Sequence, residues 1–218
     1  MVYIIMCGGQ YNEWSVPRQL TRIHGESLIE RTVRMLIQAG VPNKSIFVST
    51  NISMIYEFCR YKNIKIVWKE DNNWIVPRPG VSIGDWCDCF LDNSCPTCYL
   101  MGDVVFSQNA INTIVKTQTD DIEFFASAPP FSNQYSKPYA EPFSFKVKNT
   151  QHLKEAIAET KRLYREGAFK RSPIAWEFWQ VVKGTKLNEI DYTNYTVIND
   201  YTCDIDEPND VKKFEGAE

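Results

Sequence analysis

The pattern of apolar and polar positions along the chain predicts strands and helices in alternation. Val2–Met6 is a short apolar run rich in β-branched residues, which is typical of a buried strand. In the segment 27–40 the apolar residues fall on one helical face, Ser27 and Glu30 have the spacing of a capping box, and Gly40 ends the helix. The alternation continues beyond this helix, which indicates right-handed crossovers between parallel strands.

The remaining elements extend the same pattern to the end of the chain. Further strands are predicted at 45–50, 64–68, 97–101, 122–128, 143–148 and 196–199. Further helices are predicted at 52–61, 81–91, 110–116, 152–166 and 172–182, and a last one has Pro208 in its first turn. Together these elements predict an α/β fold with a mostly parallel central sheet flanked by helices.

The domain organisation follows from length and local composition. The 218 residues contain no internal repeat and no low-complexity linker, so we expect a single domain over 1–218. Pro, Ser, Tyr and Asn are frequent from 129 to 142, which predicts an excursion on the surface. We therefore divide the domain into a first half at 1–128, a small lobe at 129–195, and a returning strand with a final helix at 196–218.

Composition and charge disfavour several classes of function. Apolar residues make up 44% of the chain and charged residues 23%, which supports a folded core. Lys and Arg number 24 against 27 Asp and Glu, a net charge of −3, so nucleic-acid binding is not expected. The apolar stretches are too short for membrane insertion, and the N-terminal run lacks the basic flank of a signal peptide, so we expect a cytoplasmic protein.

A loop containing two glycines follows the first strand, at the edge where an open parallel sheet binds its ligands. Gly8 and Gly9 allow backbone N–H groups to approach a phosphate closely, and Arg18 supplies a cationic fork. The loop lacks the third glycine of the dinucleotide-binding motif and the Gly-Lys-Ser/Thr of a P-loop. The alternative interpretation is an ordinary turn followed by a loop with one surface arginine.

Acidic residues at two places are candidates for binding a divalent cation. Asp103 follows Gly102 directly after a predicted buried strand, where a carboxylate can bind Mg²⁺ beside a triphosphate or simply cap the next turn. Asp204 and Asp206 are alternate residues of an extended segment, so they can share one face. Facing carboxylates repel each other unless a cation lies between them, whereas the alternative is an exposed acidic N-cap of the last helix.

The cysteines require a choice between a zinc site and free thiols. Cys87, Cys89, Cys95 and Cys98 are close together in sequence, as in some zinc sites. However, residues two apart diverge in the predicted helix at 81–91, and Cys98 belongs to a core strand, where cysteine packs as a small apolar residue. We therefore predict thiols.

Several motifs recur in the order of a known family. They are Ile4-Ile5-Met6-Cys7-Gly8-Gly9, Pro17-Arg18-Gln19-Leu20, Gly25-Glu26-Ser27-Leu28-Ile29-Glu30-Arg31, Leu100-Met101-Gly102-Asp103-Val104-Val105-Phe106 and Asp204-Ile205-Asp206-Glu207-Pro208-Asn209-Asp210-Val211. In order and spacing the chain resembles the nucleotidyltransferases with the GT-A-type α/β fold, such as sugar-phosphate nucleotidyltransferases, phosphocholine cytidylyltransferases and CMP-sugar synthetases. The resemblance covers 2–106 and returns at 203–215.

The resemblance implies nucleotidyl transfer from an NTP, with CTP as one candidate, to a phosphorylated sugar or alcohol, with release of pyrophosphate. It implies that Arg18 and Asp103 are catalytic, and that Asp103 and Asp206, with Asp204 as a further candidate, hold Mg²⁺. The candidate nucleotide-binding residues are Cys7, Gly8, Gly9, Gln10, Arg18, Pro79, Gly80, Ser82 and Gly102. Residues within 129–180 are expected to select the acceptor.

Two departures from the family pattern leave alternatives open. The loop arginine of the family is absent from 10–14, and Arg18 replaces the family lysine, which keeps the charge but changes the geometry. A relative that binds nucleotides but is catalytically impaired is therefore one alternative. A glycosyltransferase of the same fold is the other, although its Asp-x-Asp motif usually lies mid-chain and here occurs near the C-terminus.

Overall fold

The computed structural model describes residues 1–8, 14–69, 86–87, 89–91, 94–129, 138–171 and 173–214. Within these residues the strands are β1 (Val2–Met6), β2 (Arg22–Ile23), β3 (Glu26–Ser27), β4 (Ile46–Thr50), β5 (Ile66–Trp68), β6 (Thr97–Met101), β7 (Val104–Val105), β8 (Ile122–Ser127), β9 (Pro142–Val147), β10 (Thr196–Ile198) and β11 (Cys203–Asp204). The α-helices are α1 (Leu28–Gln38), α2 (Ser53–Tyr61), α3 (Gln108–Lys116), α4 (Thr150–Arg165) and α5 (Ala175–Lys183), and shorter 3₁₀ turns cover Arg18–Leu20, Asn43–Ser45 and Pro208–Phe214.

One large sheet organises the fold. In the part of the chain that the structure describes, seven strands form it in the order β10-β8-β9-β6-β1-β4-β5. The pairs β1–β4, β1–β6, β4–β5 and β8–β10 are parallel, and β9 is antiparallel to both of its neighbours. The prediction of an α/β domain with a mostly parallel sheet flanked by helices is confirmed.

Both faces of the sheet are covered by helices. Along β1, Tyr3 and Ile5 belong to an apolar core that includes residues of α1, α2 and α3, whereas Ile4 and Met6 belong to a second core with residues of α4 and α5. A strand that is buried on both faces has no polar side to show in its sequence. This is the reason why β1 is a continuous apolar run rather than an alternating one.

The segment predicted as a lobe at 129–195 is joined to the main sheet. Its strand β9 lies between β6 and β8, and its helices α4 and α5 pack against each other. Leu153 of α4 and Trp176 and Phe178 of α5 share one core with Phe145 of β9. The residues predicted to select an acceptor are therefore attached to the same sheet as the predicted nucleotide-binding half.

Local signals set the start of two helices. The capping box of α1 is confirmed, because Ser27 Oγ accepts from the backbone N–H of Glu30 at 3.2 Å and the Glu30 carboxylate accepts from the backbone of Ser27 at 3.1 Å. The helix predicted to begin at 172 begins instead at Ala175, the first residue of α5. At this end of α5 the Glu177 carboxylate accepts from the backbone N–H of Ile174 at 3.1 Å. Ser172 lies outside the described residues, as do 81–85 of the helix predicted at 81–91.

The cysteines all fall within the described residues, and none of them forms a disulfide there. Cys87 and Cys89 lie in the core next to α4 and α5, whereas Cys98 lies in the core on the opposite face of the sheet. Burial raises the pKa of Cys98 to about 11, so this side chain is an uncharged thiol at neutral pH. Among the helices that the structure describes, none has the length and apolar character needed to cross a membrane.

Candidate active site

The carboxyl ends of β1 and β6 lie side by side at one edge of the sheet. Met6 is paired with Met101, and the backbone N–H of Gly102 donates to the carbonyl oxygen of Met6 at 3.0 Å. A Cβ atom on Gly102 would lie 2.5 Å from that oxygen and 2.6 Å from Cys7 Sγ, so this close approach requires glycine. The contact brings Asp103 next to the start of the predicted glycine loop.

The C-terminal segment returns to the same edge. Strand β11 pairs with β7 in antiparallel orientation, with Asp204 opposite Val104, and the backbone N–H of Ile205 donates to the carbonyl oxygen of Asp103 at 2.9 Å. Ile205 is fully buried in a small apolar cluster that also contains Trp14. The pairing thus brings carboxylates from distant parts of the sequence into one site.

Arg18 bridges two of the predicted metal-binding carboxylates. It begins the 3₁₀ turn Arg18–Leu20 and is only 8% exposed. Its Nη2 atom forms an ion pair with Asp103, and its Nη1 atom lies 3.2 Å from Asp206 Oδ1. Nη1 also donates to the carbonyl oxygen of Ile205 at 3.2 Å. A guanidinium has several donors in one plane, which allows a single side chain to contact both carboxylates.

Asp206 is held by three further hydrogen bonds. Trp14 Nε1 donates to its carbonyl oxygen at 2.9 Å, and the Tyr139 hydroxyl donates to its Oδ2 at 2.9 Å. Its own backbone N–H donates to Asp210 Oδ2 at 3.1 Å. The side chain of Asp206 nevertheless remains 41% exposed, compared with 20% for Asp103, so a ligand from solvent can reach it.

Asp204 has different partners from Asp206. Its backbone N–H donates to Oε1 of the fully buried Glu141 at 3.1 Å, and its Oδ1 is buried without a hydrogen-bond partner among the residues that the structure describes. Burial raises the pKa of the Asp204 carboxyl well above its usual range, and the negative charges of Asp206 and Glu141 raise it further. Glu141 thus contacts the backbone of Asp204, whereas Arg18 contacts the side chains of Asp103 and Asp206.

Comparison with solved structures identifies the fold, although no family model and no curated protein matches the chain. At 12% identity and a TM-score of 0.54, a nucleoside-diphosphate-sugar pyrophosphorylase from Vibrio cholerae matches 98% of this chain and 99% of its own. The inositol-1-phosphate CTP transferase from T. maritima matches at 11% identity and a TM-score of 0.52, over 99% of this chain and 96% of its own. The CTP:phosphocholine cytidylyltransferase from Streptococcus pneumoniae matches at 13% identity and a TM-score of 0.50, over 98% of this chain and 97% of its own.

The chain has a nucleotidyltransferase fold. The match extends over nearly the whole length of both partners in each case, so it includes the region between 106 and 203 where the sequence resemblance is loose. At 11–13% identity these likenesses show the fold alone.

In this nucleotidyltransferase fold, the start of the predicted phosphate loop is held by the adjacent strand and turn. The backbone N–H of Cys7 donates to the carbonyl oxygen of Ser49 at 2.8 Å, and Gln19 Nε2 donates to the carbonyl oxygen of Gly8 at 2.7 Å. Burial raises the pKa of the Cys7 thiol, so this residue packs rather than reacts. Gly9, Gln10, Pro79, Gly80 and Ser82 lie outside the described residues, and their roles stay predictions.

The donor set at this edge suits Mg²⁺ chemically. Asp103 and Asp206 both contact one positive group, and carboxylate oxygens are the ligands that Mg²⁺ uses in proteins, usually one or two of them together with substrate phosphates and water. Within the described residues, no three His, Cys, Asp or Glu side chains are arranged to hold a metal ion by themselves. Two carboxylates completed by a nucleotide would fit this arrangement.

Sequence reasoning missed three residues that shape the site, namely Trp14, Tyr139 and Glu141. Each acts through a contact with the C-terminal segment 204–206, and each belongs to a different part of the chain from its partner. The one signal available was Glu141, a charged residue directly before a strand with apolar character. Nothing in the spacing of Trp14 or Tyr139 indicated a role.

Proposed function

We propose that the protein transfers a nucleotidyl group from an NTP to a small phosphorylated sugar or alcohol and releases pyrophosphate, with Mg²⁺ as cofactor. The observation that carries the proposal is the contact of Arg18 with both Asp103 and Asp206 at the carboxyl edge of the sheet. That edge is where open α/β sheets bind ligands. Solved structures with the same fold include enzymes described as CTP transferases of phosphocholine and of inositol 1-phosphate.

The proposed nucleotide site combines backbone N–H groups with one charged side chain. Backbone N–H groups at Gly8 and Gly9 would contact the phosphates, and Gln19 supports this loop through its hydrogen bond to the carbonyl oxygen of Gly8. Arg18 would contribute a charged, bidentate contact to the same phosphates. Pro79, Gly80 and Ser82 remain the candidates for contacts to the base or ribose.

The proposed chemistry needs alignment and charge neutralisation more than covalent catalysis. An oxygen of the acceptor phosphate attacks the α-phosphorus of the NTP, the bond from that phosphorus to the oxygen shared with the β-phosphate breaks, and pyrophosphate leaves with the electron pair. Asp103 and Asp206 would hold Mg²⁺, which when bound neutralises charge on the phosphates. Arg18 would stabilise the charge that develops on the equatorial oxygens.

The acceptor is proposed to enter from the side of the segment 129–195. Tyr139 belongs to this segment and donates to Asp206, so the segment proposed to bind the acceptor contacts a carboxylate proposed to bind the metal. Glu141, two residues further on, contacts the backbone of Asp204. These contacts favour a site in which the acceptor lies close to the nucleotide phosphates.

A pyrophosphate-release assay tests the proposal. CTP, UTP, dTTP, ATP and GTP are each incubated with Mg²⁺ and a panel of phosphorylated sugars and alcohols, with EDTA as the metal-free control. We expect one NTP to release pyrophosphate only when a particular acceptor and Mg²⁺ are both present. In a parallel incubation with a nucleotide sugar in place of the NTP, transfer of the sugar would support the glycosyltransferase alternative. NTP binding without turnover would support the impaired relative.

A further inference from the structure

The guanidinium of Arg18 occupies the space that a metal ion shared by Asp103 and Asp206 would need. Its two terminal nitrogens contact one carboxylate each, Nη2 with Asp103 and Nη1 with Asp206. The carbonyl oxygen of Ile205 accepts from Nη1 as well, which fixes the orientation of the group. One positive charge is thus already present between the two carboxylates.

This positive charge is permanent as long as the side chain stays in place. A guanidinium does not lose its proton in proteins, so no pH change in the physiological range removes the charge. A divalent cation that approached the same carboxylates would be repelled by it and would find their oxygens engaged. In the conformation described, metal binding and the Arg18 contacts exclude each other.

We propose that Arg18 is a built-in counter-ion that blocks the metal site in the nucleotide-free protein and is released when the triphosphate binds. The proposal rests on the function proposed above, because the triphosphate is the anion expected to draw the guanidinium away from the carboxylates. Metal and nucleotide then bind with positive coupling, and by linkage each increases the affinity for the other. The protein takes up the cation together with the NTP rather than before it.

The difference between arginine and lysine is central to this mechanism. A lysine ammonium is a point charge on a flexible stem, whereas the planar fork of Arg18 contacts the two carboxylates with separate nitrogens. A lysine at this position is expected to block the site less completely. The planar fork of Arg18 is therefore the feature that produces the block.

Binding of Mn²⁺ to the nucleotide-free protein, measured by electron paramagnetic resonance or isothermal titration calorimetry, tests the proposal. We expect the Arg18→Ala and Arg18→Gln proteins to bind Mn²⁺ more tightly than the wild type, by a factor of about ten or more. A tenfold change in affinity corresponds to the loss of one charge-assisted contact. Arg18→Lys should be intermediate. The matched control is Arg22→Ala, whose exposed side chain donates to the carbonyl oxygen of Gly25, and it should bind as the wild type does.

Two further variants locate the bound ion and protect the test from misfolding. Adding Asp103→Asn to Arg18→Gln should remove the gain in affinity, because the released carboxylate is then absent. If Arg18→Ala unfolds, Arg18→Gln retains a polar side chain without the charge. The proposal would be overturned if the folded Arg18 variants bind Mn²⁺ no more tightly than the wild type does. It would also be overturned if neither the variants nor the wild type bind Mn²⁺.

Failure of this inference is distinguishable from failure of the proposed function. Pyrophosphate release by the wild type together with unchanged Mn²⁺ affinity in the variants would overturn the counter-ion role and leave the function intact. A gain in Mn²⁺ affinity without any pyrophosphate release would support the counter-ion role and contradict the proposed function.

Discussion

The hydroxyl group of Tyr139 donates a hydrogen bond to Oδ2 of Asp206 across 2.9 Å, although the two residues are 67 positions apart in sequence. Tyr139 is 46% exposed, so this contact contributes little to the core. Its consequence is orientation, because the same carboxylate also contacts Arg18. A residue from the acceptor side thereby positions a carboxylate that is proposed to hold the metal.

Removing this hydroxyl should affect catalysis more than stability. Tyr139→Phe loses one hydrogen bond to a charged acceptor, and we expect a cost of about 1 kcal/mol in transition-state stabilisation, or roughly fivefold in kcat/KM. The melting temperature should stay unchanged. Pyrophosphate release and thermal unfolding are measured for the same protein. The control is Tyr61→Phe, because Tyr61 is 84% exposed on α2. Equal activity of the two variants would remove Tyr139 from the site.

Gly102 should tolerate no side chain. In Gly102→Ala the new methyl group would contact the Met6 carbonyl oxygen at 2.5 Å, and the strand ends would have to move apart. We expect a loss of about 1–3 kcal/mol in the free energy of unfolding, together with a loss of activity since Asp103 shifts with the backbone. Chemical denaturation and pyrophosphate release measure the two effects.

Gly40→Ala is the matched control for this variant. Gly40 has a φ of +91° with open space around it, so alanine there introduces backbone strain of about 1 kcal/mol without contact to the site. It should lose stability and keep full activity in the folded fraction. Full activity of Gly102→Ala as well would contradict the role assigned to the close approach.

The buried side chain of Lys146 should affect the free energy of unfolding and its dependence on pH. Its Nζ atom is buried and donates to the last carbonyl groups around the end of α3, at 2.9 Å for Ile114, 2.9 Å for Val115 and 2.6 Å for Thr117. Lys146→Met leaves these acceptors without a donor, and we expect a loss of about 2 kcal/mol in the free energy of unfolding at pH 7. Lys148→Met, near the same strand but half-exposed, should lose much less.

The sign of the pH dependence follows from the pKa of Lys146. Burial lowers this pKa below its ordinary value of 10.5, so over the interval between the two values the unfolded chain binds more protons than the folded one. The stability of the wild type relative to Lys146→Met should therefore rise as the pH increases through that alkaline interval. Urea denaturation of both proteins at a series of pH values measures the difference, and a relative stability that falls instead would contradict the assignment.

The two aspartates of the Asp-x-Asp motif should differ in function. Burial raises the pKa of the Asp204 carboxyl well above its usual range, which disfavours its charged form, and asparagine is a neutral side chain of the same shape. We expect Asp204→Asn to retain pyrophosphate release within about threefold, an effect below 1 kcal/mol. A loss equal to that of Asp206→Asn would instead assign Asp204 to the metal.

Local sequence signals predicted much of the fold because they depend on neighbouring residues. The capping box of Ser27 and Glu30 and the continuous apolar run of β1 are confirmed, since a cap and a doubly buried strand are encoded within a few positions. The position of β9 between β6 and β8 was not predicted. Alternation in a strand shows which side is apolar, but it does not show which strands are its neighbours.

The site was predicted only as far as the family resemblance reached. The resemblance implied that Asp103 and Asp206 approach each other, and Arg18 contacts both. It gave no indication that Arg18 bridges them or that Tyr139 and Trp14 hold Asp206. Trp14 and Asp206 are 192 positions apart, and such contacts are created by the return of β11 to β7 rather than by any local pattern.

The most direct test of the proposed function compares pyrophosphate release by wild type, Asp103→Asn, Asp206→Asn and the double variant, each confirmed to be folded by circular dichroism. We predict acceptor- and Mg²⁺-dependent release by the wild type and a loss of about a hundredfold or more in each single variant. The double variant should be no worse than either single one, because both carboxylates act on the same ion. Undiminished pyrophosphate release by either folded single variant would contradict the account.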